Sequence, residues 1–338
     1  MASPPTRLQR TVGALLGVHA GDSLGASLEF STWDSIRKRY PTGLRDIIGG
    51  GPFSWSPGHA TDDTDLTRAV LLAYLDVRRR GAAGEEEEGG DLARLAAGHM
   101  LDWMDGRWPD RTPGVEPVDF GAATRIGLDK FRASGDPAKA GAGPNQAGNG
   151  SLMRCIPTAL FQDDRDKMIA ESQIISAVTH DDTRCTVACA AYNVIVAALV
   201  RGESPEGAVA AGLDVAKELE KEPAKPVVVG AIRAGTRLSV QELAEKGPGA
   251  SLPGKASGYV LESLSIAIAA VLDPRTLVDV LVDVVRIGKD TDTNAAIAGG
   301  LLGARDGVGA IPQDWVDKLQ FRDEFTAAAT ELLGAEAT

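Results

Sequence analysis

Two short runs of acids and hydroxyls stand out from an alanine- and glycine-rich background: Thr61-Asp62-Asp63-Thr64-Asp65 and Asp290-Thr291-Asp292-Thr293-Asn294. Each has glycine close by and is followed by an apolar run of helical period, so its carboxylates collect where the chain turns into a helix. A helix N-terminus favours one negative charge by about 0.3–1 kcal/mol, less than it costs to crowd several partly buried carboxylates together. A cation missing from the sequence resolves that imbalance. The donor set is all hard oxygen, which suits Mg²⁺ or Mn²⁺ and not a zinc site built on Cys or His. Taken singly, either run is equally an N-cap with acids in the first turn. Asp62-Asp63 and Asp290-x-Asp292 are too close in sequence to face one another across a helix, but an irregular turn can converge their oxygens.

Three further polar islands interrupt the apolar pattern: Gly21-Asp22 to Glu29, Asn145 to Ser151, and Thr179-His180. Gly148-Asn149-Gly150-Ser151, read as leading straight into a helix at Leu152, would offer unpaired N–H groups to an anion such as a phosphate, or simply make a tight turn. His180 alone reads as a cap or packed imidazole as readily as a ligand.

The elements that must position these islands read as helices. Periodicity predicts them over residues 7–20, 66–77, 92–104, 120–131, 152–161, 166–178, 183–200, 205–219, 227–244, 258–272, 277–287, 293–304 and 325–333. Residues 21–25 read as a glycine-rich bend, 31–60 as irregular, and Pro157 as a bend or the start of a new helix. The acidic run at 85–88 and the charged run at 218–226 read as solvated loops. Asp279 and Asp283, four apart, read as the exposed edge of an aliphatic helix. Nothing alternates at period two for long, so the expected fold is all-α, a compact orthogonal multi-helix bundle. The two acidic runs lie on either side of the later turn-rich gaps, which argues for a single domain, residues 1–338 with a core over about 7–333.

A hydrophobic fraction of 43% supports a large core, and with aromatics at only 5% the helices should pack through small side chains. A net charge of −12, with no segment rich in Lys and Arg, argues against general nucleic-acid binding. Cys155, Cys185 and Cys189 form no CxxC and read as core thiols. Residues 7–20 faintly resemble a signal peptide but run straight into Gly21-Asp22, and read as the first helix of a cytoplasmic protein. No uninterrupted apolar stretch is long enough for a membrane span.

Together the islands resemble the ADP-ribosylglycohydrolase family. The matching strings are Gly21-Asp22-Ser23-Leu24-Gly25 with Glu29, Thr61-Asp62-Asp63-Thr64, Gly148-Asn149-Gly150 with Met153-Arg154, Thr179-His180, and Asp290-Thr291-Asp292-Thr293-Asn294 with Ile297-Ala298-Gly299. They occur in family order and span nearly the whole chain. The resemblance implies an all-α fold and a binuclear Mg²⁺ or Mn²⁺ centre held by Thr61, Asp62, Asp63, Asp290, Asp292 and Thr293. It further implies that Glu29 approaches that centre, that Gly148, Asn149, Gly150 and Ser151 lie near the diphosphate or distal ribose, and that His180 lies beside bound ADP-ribose. Two departures stand at the rim or just behind the ligands: Gly288-Lys289 where the family usually has two glycines, and Asp65-Leu66 where it usually has Gln-Met.

The expected reaction is hydrolysis of the bond between ADP-ribose and a modified acceptor, in a protein or a small conjugate, with Glu29 or alternatively Asp63 managing protons. Arginine is the preferred acceptor, because the chain resembles the bacterial arginine-type members of the family in its compact Thr61-Asp62-Asp63-Thr64 helix and single-domain extent; Asp65 and the net charge suit a guanidinium leaving group, while Lys289 pulls the other way. Serine-linked, other O-linked and polymeric ADP-ribose are the alternatives. A metal-dependent phosphohydrolase and a non-catalytic ADP-ribose-binding or crystallin-like protein are the competing classes. A monomer without membrane partners is expected.

Overall fold

The computed structural model describes residues 3–82, 91–221 and 226–334. The helices in chain order are α1 (Arg7–Gly25), α2 (Trp33–Arg39), α3 (Asp62–Ala82), α4 (Asp91–Met104), α5 (Ala122–Ser134), α6 (Ile156–Phe161), α7 (Arg165–Ala177) and α8 (Thr183–Val200). They continue with α9 (Pro205–Leu219), α10 (Val227–Gly235), α11 (Val240–Lys246), α12 (Val260–Leu272), α13 (Leu277–Arg286), α14 (Thr291–Asp306), α15 (Gln313–Val316) and α16 (Arg322–Leu333). Among the described residues there is no strand, only isolated bridges at Gly50–Trp55 and Gly148–Tyr259. The fold is an all-α, multi-helix bundle, as the periodicity predicts. The 85–88 run and part of the 218–226 run lie outside the described residues.

Local signals place most helix starts. Thr6 and Gln9 form a reciprocal capping box ahead of α1, and Asp164, Asp182, Ser204 and Thr276 each accept a backbone N–H at the start of α7, α8, α9 and α13. From Val187 to Val200 every residue of α8 is buried, so this helix runs through the core. Its length and composition would let it cross a membrane, yet 83% of it is buried inside the protein. A hydrophobic cluster including Leu15, Leu66, Trp103, Ile195, Ile266, Leu281, Ile297 and Phe325 ties it to the surrounding helices.

The contact that organises the site is between α1 and α14. Gly13, Gly17, Gly21 and Gly25 recur every fourth residue and lie directly on the α14 backbone. A Cβ added at Gly17 would stand 2.2 Å from the Gly299 carbonyl, one at Gly21 2.0 Å from that of Ala295, and one at Gly25 2.4 Å from that of Thr291. The partner residues descend as the glycines ascend, so the helices are antiparallel, and the last turn of α1 meets the first turn of α14. Residues 21–25 are therefore helical and not a bend: their glycines serve close approach, not turning. Two other expectations change. The 227–244 segment breaks into α10 and α11. Asp283 is buried and paired with Arg275 at 2.7 Å and Arg286 at 3.0 Å, while Asp279 alone lies at the exposed edge.

Candidate metal centre

The antiparallel α1–α14 contact brings three acidic segments together. Asp22, in the last turn of α1, accepts the backbone N–H groups of Thr61 (3.0 Å) and Thr64 (3.3 Å) and the Thr64 hydroxyl, so α1 caps α3 from outside its own chain segment. Thr61 Oγ1 and Thr293 Oγ1 both donate to Asp63 Oδ2, at 3.1 and 3.4 Å, joining the first acidic run to the second. Thr291 Oγ1 donates to the Gly25 carbonyl at 2.8 Å, which pins α14 to the end of α1. Asn149 Nδ2 donates to Asp290 Oδ2 at 2.7 Å and lies 3.0 Å from Ser263 Oγ, tying the glycine loop to the same place.

This arrangement concentrates negative charge. One oxygen each from Glu29, Asp119 and Asp292 lies within 4.8 Å of the others, a group that could hold a metal ion. Asp22 Oδ1, Glu29 Oε2, Asp63 Oδ1 and Asp292 Oδ1 are buried without a hydrogen-bond partner among the described residues. Leaving such oxygens buried and unpaired is expensive, whereas a bound cation would satisfy them. Burial raises the pKa of Asp62, Asp63 and Asp292 well above the carboxylate range, and neighbouring acids raise it further: chiefly Asp63 for Asp62, Asp22 for Asp63, and Asp63 for Asp292. Burial, then Asp119, Asp290 and Asp22, push Glu29 to about 8, and burial with Asp290 pushes Asp119 to about 6. Mutual repulsion of this kind, with hard oxygen donors throughout, fits a divalent Mg²⁺ or Mn²⁺ site.

The acids open into a cleft of about 500 Å³. Glu29, Asp62, Asp290, Asp292 and Thr293 line it together with Gly148, Asn149, Gly150 and His180, so most of the residues singled out in the sequence share one cavity. Thr61 and Asp63 are buried and do not line it. Ser151 departs from expectation. Its hydroxyl is turned into the core, 2.9 Å from Ser176 Oγ and 3.5 Å from Cys189 Sγ, and it does not line the cleft. Nor does a helix begin at Leu152: the N–H groups of Leu152 and Met153 bond back to the Asn149 carbonyl, and α6 starts at Ile156 with Pro157 in its first turn.

The two departures from the family pattern also find their places. Asp65 is buried, with its oxygens held by the indole N–H groups of Trp103 (2.9 Å) and Trp108 (2.8 Å). It braces α3 and lends no charge to the acceptor rim. Lys289 lines the cleft at φ +70°, a left-handed conformation that glycine adopts without strain. Its N–H donates to the Ser31 carbonyl at 2.8 Å, while the Phe30 N–H donates to the Lys289 carbonyl at 2.7 Å, clasping the loops that carry Glu29 and Asp290.

Sequence reasoning missed Asp119 and Thr124. Asp119 is a single acid shortly before α5, the same arrangement as the acidic runs but without a neighbour to mark it. Thr124, inside α5, lines the cleft with a buried hydroxyl that has no hydrogen-bond partner among the described residues.

A profile of the ADP-ribosylglycohydrolase family matches residues 3–338. The ADP-ribosylarginine hydrolase Tri1 of Pseudomonas putida (strain GB-1) is 28% identical over 333 residues, covering 98% of this chain and 79% of that protein. The ADP-ribosyl-[dinitrogen reductase] glycohydrolase of Rhodospirillum rubrum is 28% identical over 326 residues, covering 95% and 93% of the two chains. A solved structure described as an ADP-ribosylglycohydrolase-related protein complex superposes with a TM-score of 0.75 at 27% identity, covering 96% of this chain and 97% of that one. The match along the whole chain, and the acidic cluster at the end of α1, lead to one conclusion: the chain belongs to the ADP-ribosylglycohydrolase family and is a glycohydrolase acting on ADP-ribose conjugates.

Proposed function

We propose that this protein hydrolyses the glycosidic bond between ADP-ribose and the guanidino group of arginine, with two Mg²⁺ or Mn²⁺ ions held by Thr61, Asp62, Asp63, Asp290, Asp292 and Thr293. Asp119 joins that set. The observation that carries the reading is the group of buried carboxylate oxygens on Glu29, Asp63 and Asp292, unpartnered among the described residues, of which Glu29 and Asp292 line a cleft that also contains the Gly148–Gly150 loop and His180. When bound, the cations would supply positive charge to orient the distal ribose hydroxyls and lower the pKa of the attacking water.

The protein's own groups divide the remaining work. Asp63 has two threonine hydroxyls on one oxygen and does not line the cleft, which suits holding a cation. Glu29 lines the cleft with Oε2 unpartnered, which suits taking the proton of the attacking water. Asn149 fixes Asp290 through its amide. The acceptor preference for arginine draws support from the name of the Pseudomonas relative.

Release of ADP-ribose from matched arginine-linked, serine-linked and polymeric substrates, with Mg²⁺, Mn²⁺ or EDTA, tests this. The expected result is EDTA-sensitive release of intact ADP-ribose from arginine. Selective release from serine would replace the acceptor, and AMP with ribose phosphate as products would replace the reaction.

A further inference from the structure

Beneath the Gly148–Gly150 loop, Arg154 is completely buried, and its hydrogen bonds go to no carboxylate among the described residues. Its Nη1 donates to the Gly150 carbonyl at 2.6 Å, and its Nη2 to the Ile175 carbonyl at 3.3 Å and to Thr179 Oγ1 at 2.8 Å. Thr179 Oγ1 also lies 2.8 Å from His180 Nδ1. A hydroxyl has one hydrogen to give. Guanidinium groups only donate, so Thr179 accepts from Arg154, and the one acceptor its own hydrogen meets among the described residues is His180 Nδ1. The imidazole proton is thereby placed on Nε2.

His180 lines the cleft, and its Cε1–Nε2 edge lies beside Gly148 and Gly150. A Cβ built on Gly150 would stand 3.2 Å from His180 Nε2 and 3.4 Å from Thr124 Oγ1, so glycine keeps open a space bordered by both groups. The Thr124 hydroxyl is buried and has no hydrogen-bond partner among the described residues. One edge of the cleft thus presents two hydrogen-bond donors over a buried positive charge.

We propose that Arg154 and Thr179 are positioning residues that lock His180, which the family resemblance places beside ADP-ribose, as its Nε2–H tautomer, so that His180 and Thr124 face the ADP-ribose conjugate as hydrogen-bond donors and exchange no proton with it. The inference rests on the function proposed above for its ligand, but not for the tautomer. Burial, followed by the Arg154 charge, lowers the His180 pKa to about 3, which agrees with an imidazole that stays neutral.

The chain has four histidines, so long-range ¹H–¹⁵N spectra of histidine-labelled protein, with the signal assigned through His180→Gln, read the tautomer directly. The expected result is Nε2–H, unchanged between about pH 8 and pH 5, since an unperturbed imidazole would titrate near 6.5. An Nδ1–H signal, or titration in that range, overturns the inference. Thr179→Val should weaken ADP-ribose binding roughly tenfold while Mn²⁺ binding is retained, and Thr179→Ser should restore it to within about twofold. Unchanged ADP-ribose affinity in Thr179→Val also overturns it. Wild-type protein that shows the Nε2–H tautomer yet binds no ADP-ribose would overturn the proposed ligand, and the function above with it, whereas the wrong tautomer overturns this inference alone.

Discussion

Replacing Glu29 by Gln keeps the side chain's size while removing its charge and its ability to take a proton. If Glu29 activates the attacking water, kcat should fall by about two to four orders of magnitude while Mn²⁺ still binds in a calorimetric titration. An unchanged kcat would return the proton to Asp63, and loss of Mn²⁺ binding would make Glu29 a ligand. At this scale the sequence is legible where acids cluster. Asp62, Asp63, Asp290 and Asp292 announce themselves because neighbours repeat them at a helix start. Asp119 carries the same chemistry as a single residue, and nothing local separates it from an ordinary surface acid. Asp65 and Asp283 mislead in the opposite direction: each looks like a charge for solvent or the rim, and each is buried by partners distant in sequence or across a turn, the indoles of Trp103 and Trp108 or the guanidinium groups of Arg275 and Arg286.

Helix boundaries set by local chemistry were readable, and those set by packing were not. α8 and α9 begin and end where periodicity, Asp182 and Ser204-Pro205 place them. The Gly21–Gly25 turn of α1 was not readable, because glycine every fourth residue can signal either a turn or a close helix contact, and only the α14 backbone opposite decides which. That contact makes a sharp prediction. Gly17→Ala would drive a methyl group into the Gly299 carbonyl and should destabilise the protein by roughly 3 kcal/mol in urea unfolding, with weaker Mn²⁺ binding as the two helix ends separate. Gly98→Ala, in α4 with nothing among the described residues within 4 Å of the added atom, should instead stabilise it by up to about 1 kcal/mol. Equal effects at the two positions would contradict the close-contact reading of the glycine stripe.

At the scale of the whole molecule, stability should carry the signature of a histidine buried neutral. His19 lies on Phe321 and Phe325, with Nε2 3.1 Å from the Gly58 carbonyl; burial, offset in part by that hydrogen bond, lowers its pKa to about 3. Its folded pKa is below the unfolded value of about 6.5, so the unfolded chain binds the extra proton. The His19 contribution is complete above that value and is lost as pH falls toward the folded pKa, by at most about 1.4 kcal/mol per pH unit. Comparison with His19→Gln, which does not titrate, isolates it: the wild-type advantage should shrink between about pH 7 and pH 5, and a constant difference would contradict the assignment. The acids at the junction of α1, α3 and α14 make the larger claim, since they are buried together with oxygens that no donor among the described residues satisfies. Calorimetric titration of the EDTA-stripped protein with Mn²⁺ addresses that claim most directly. The account predicts saturable binding of two ions per chain that is lost in Asp292→Asn and Asp63→Asn; no saturable binding, or the same binding in those variants, would contradict it.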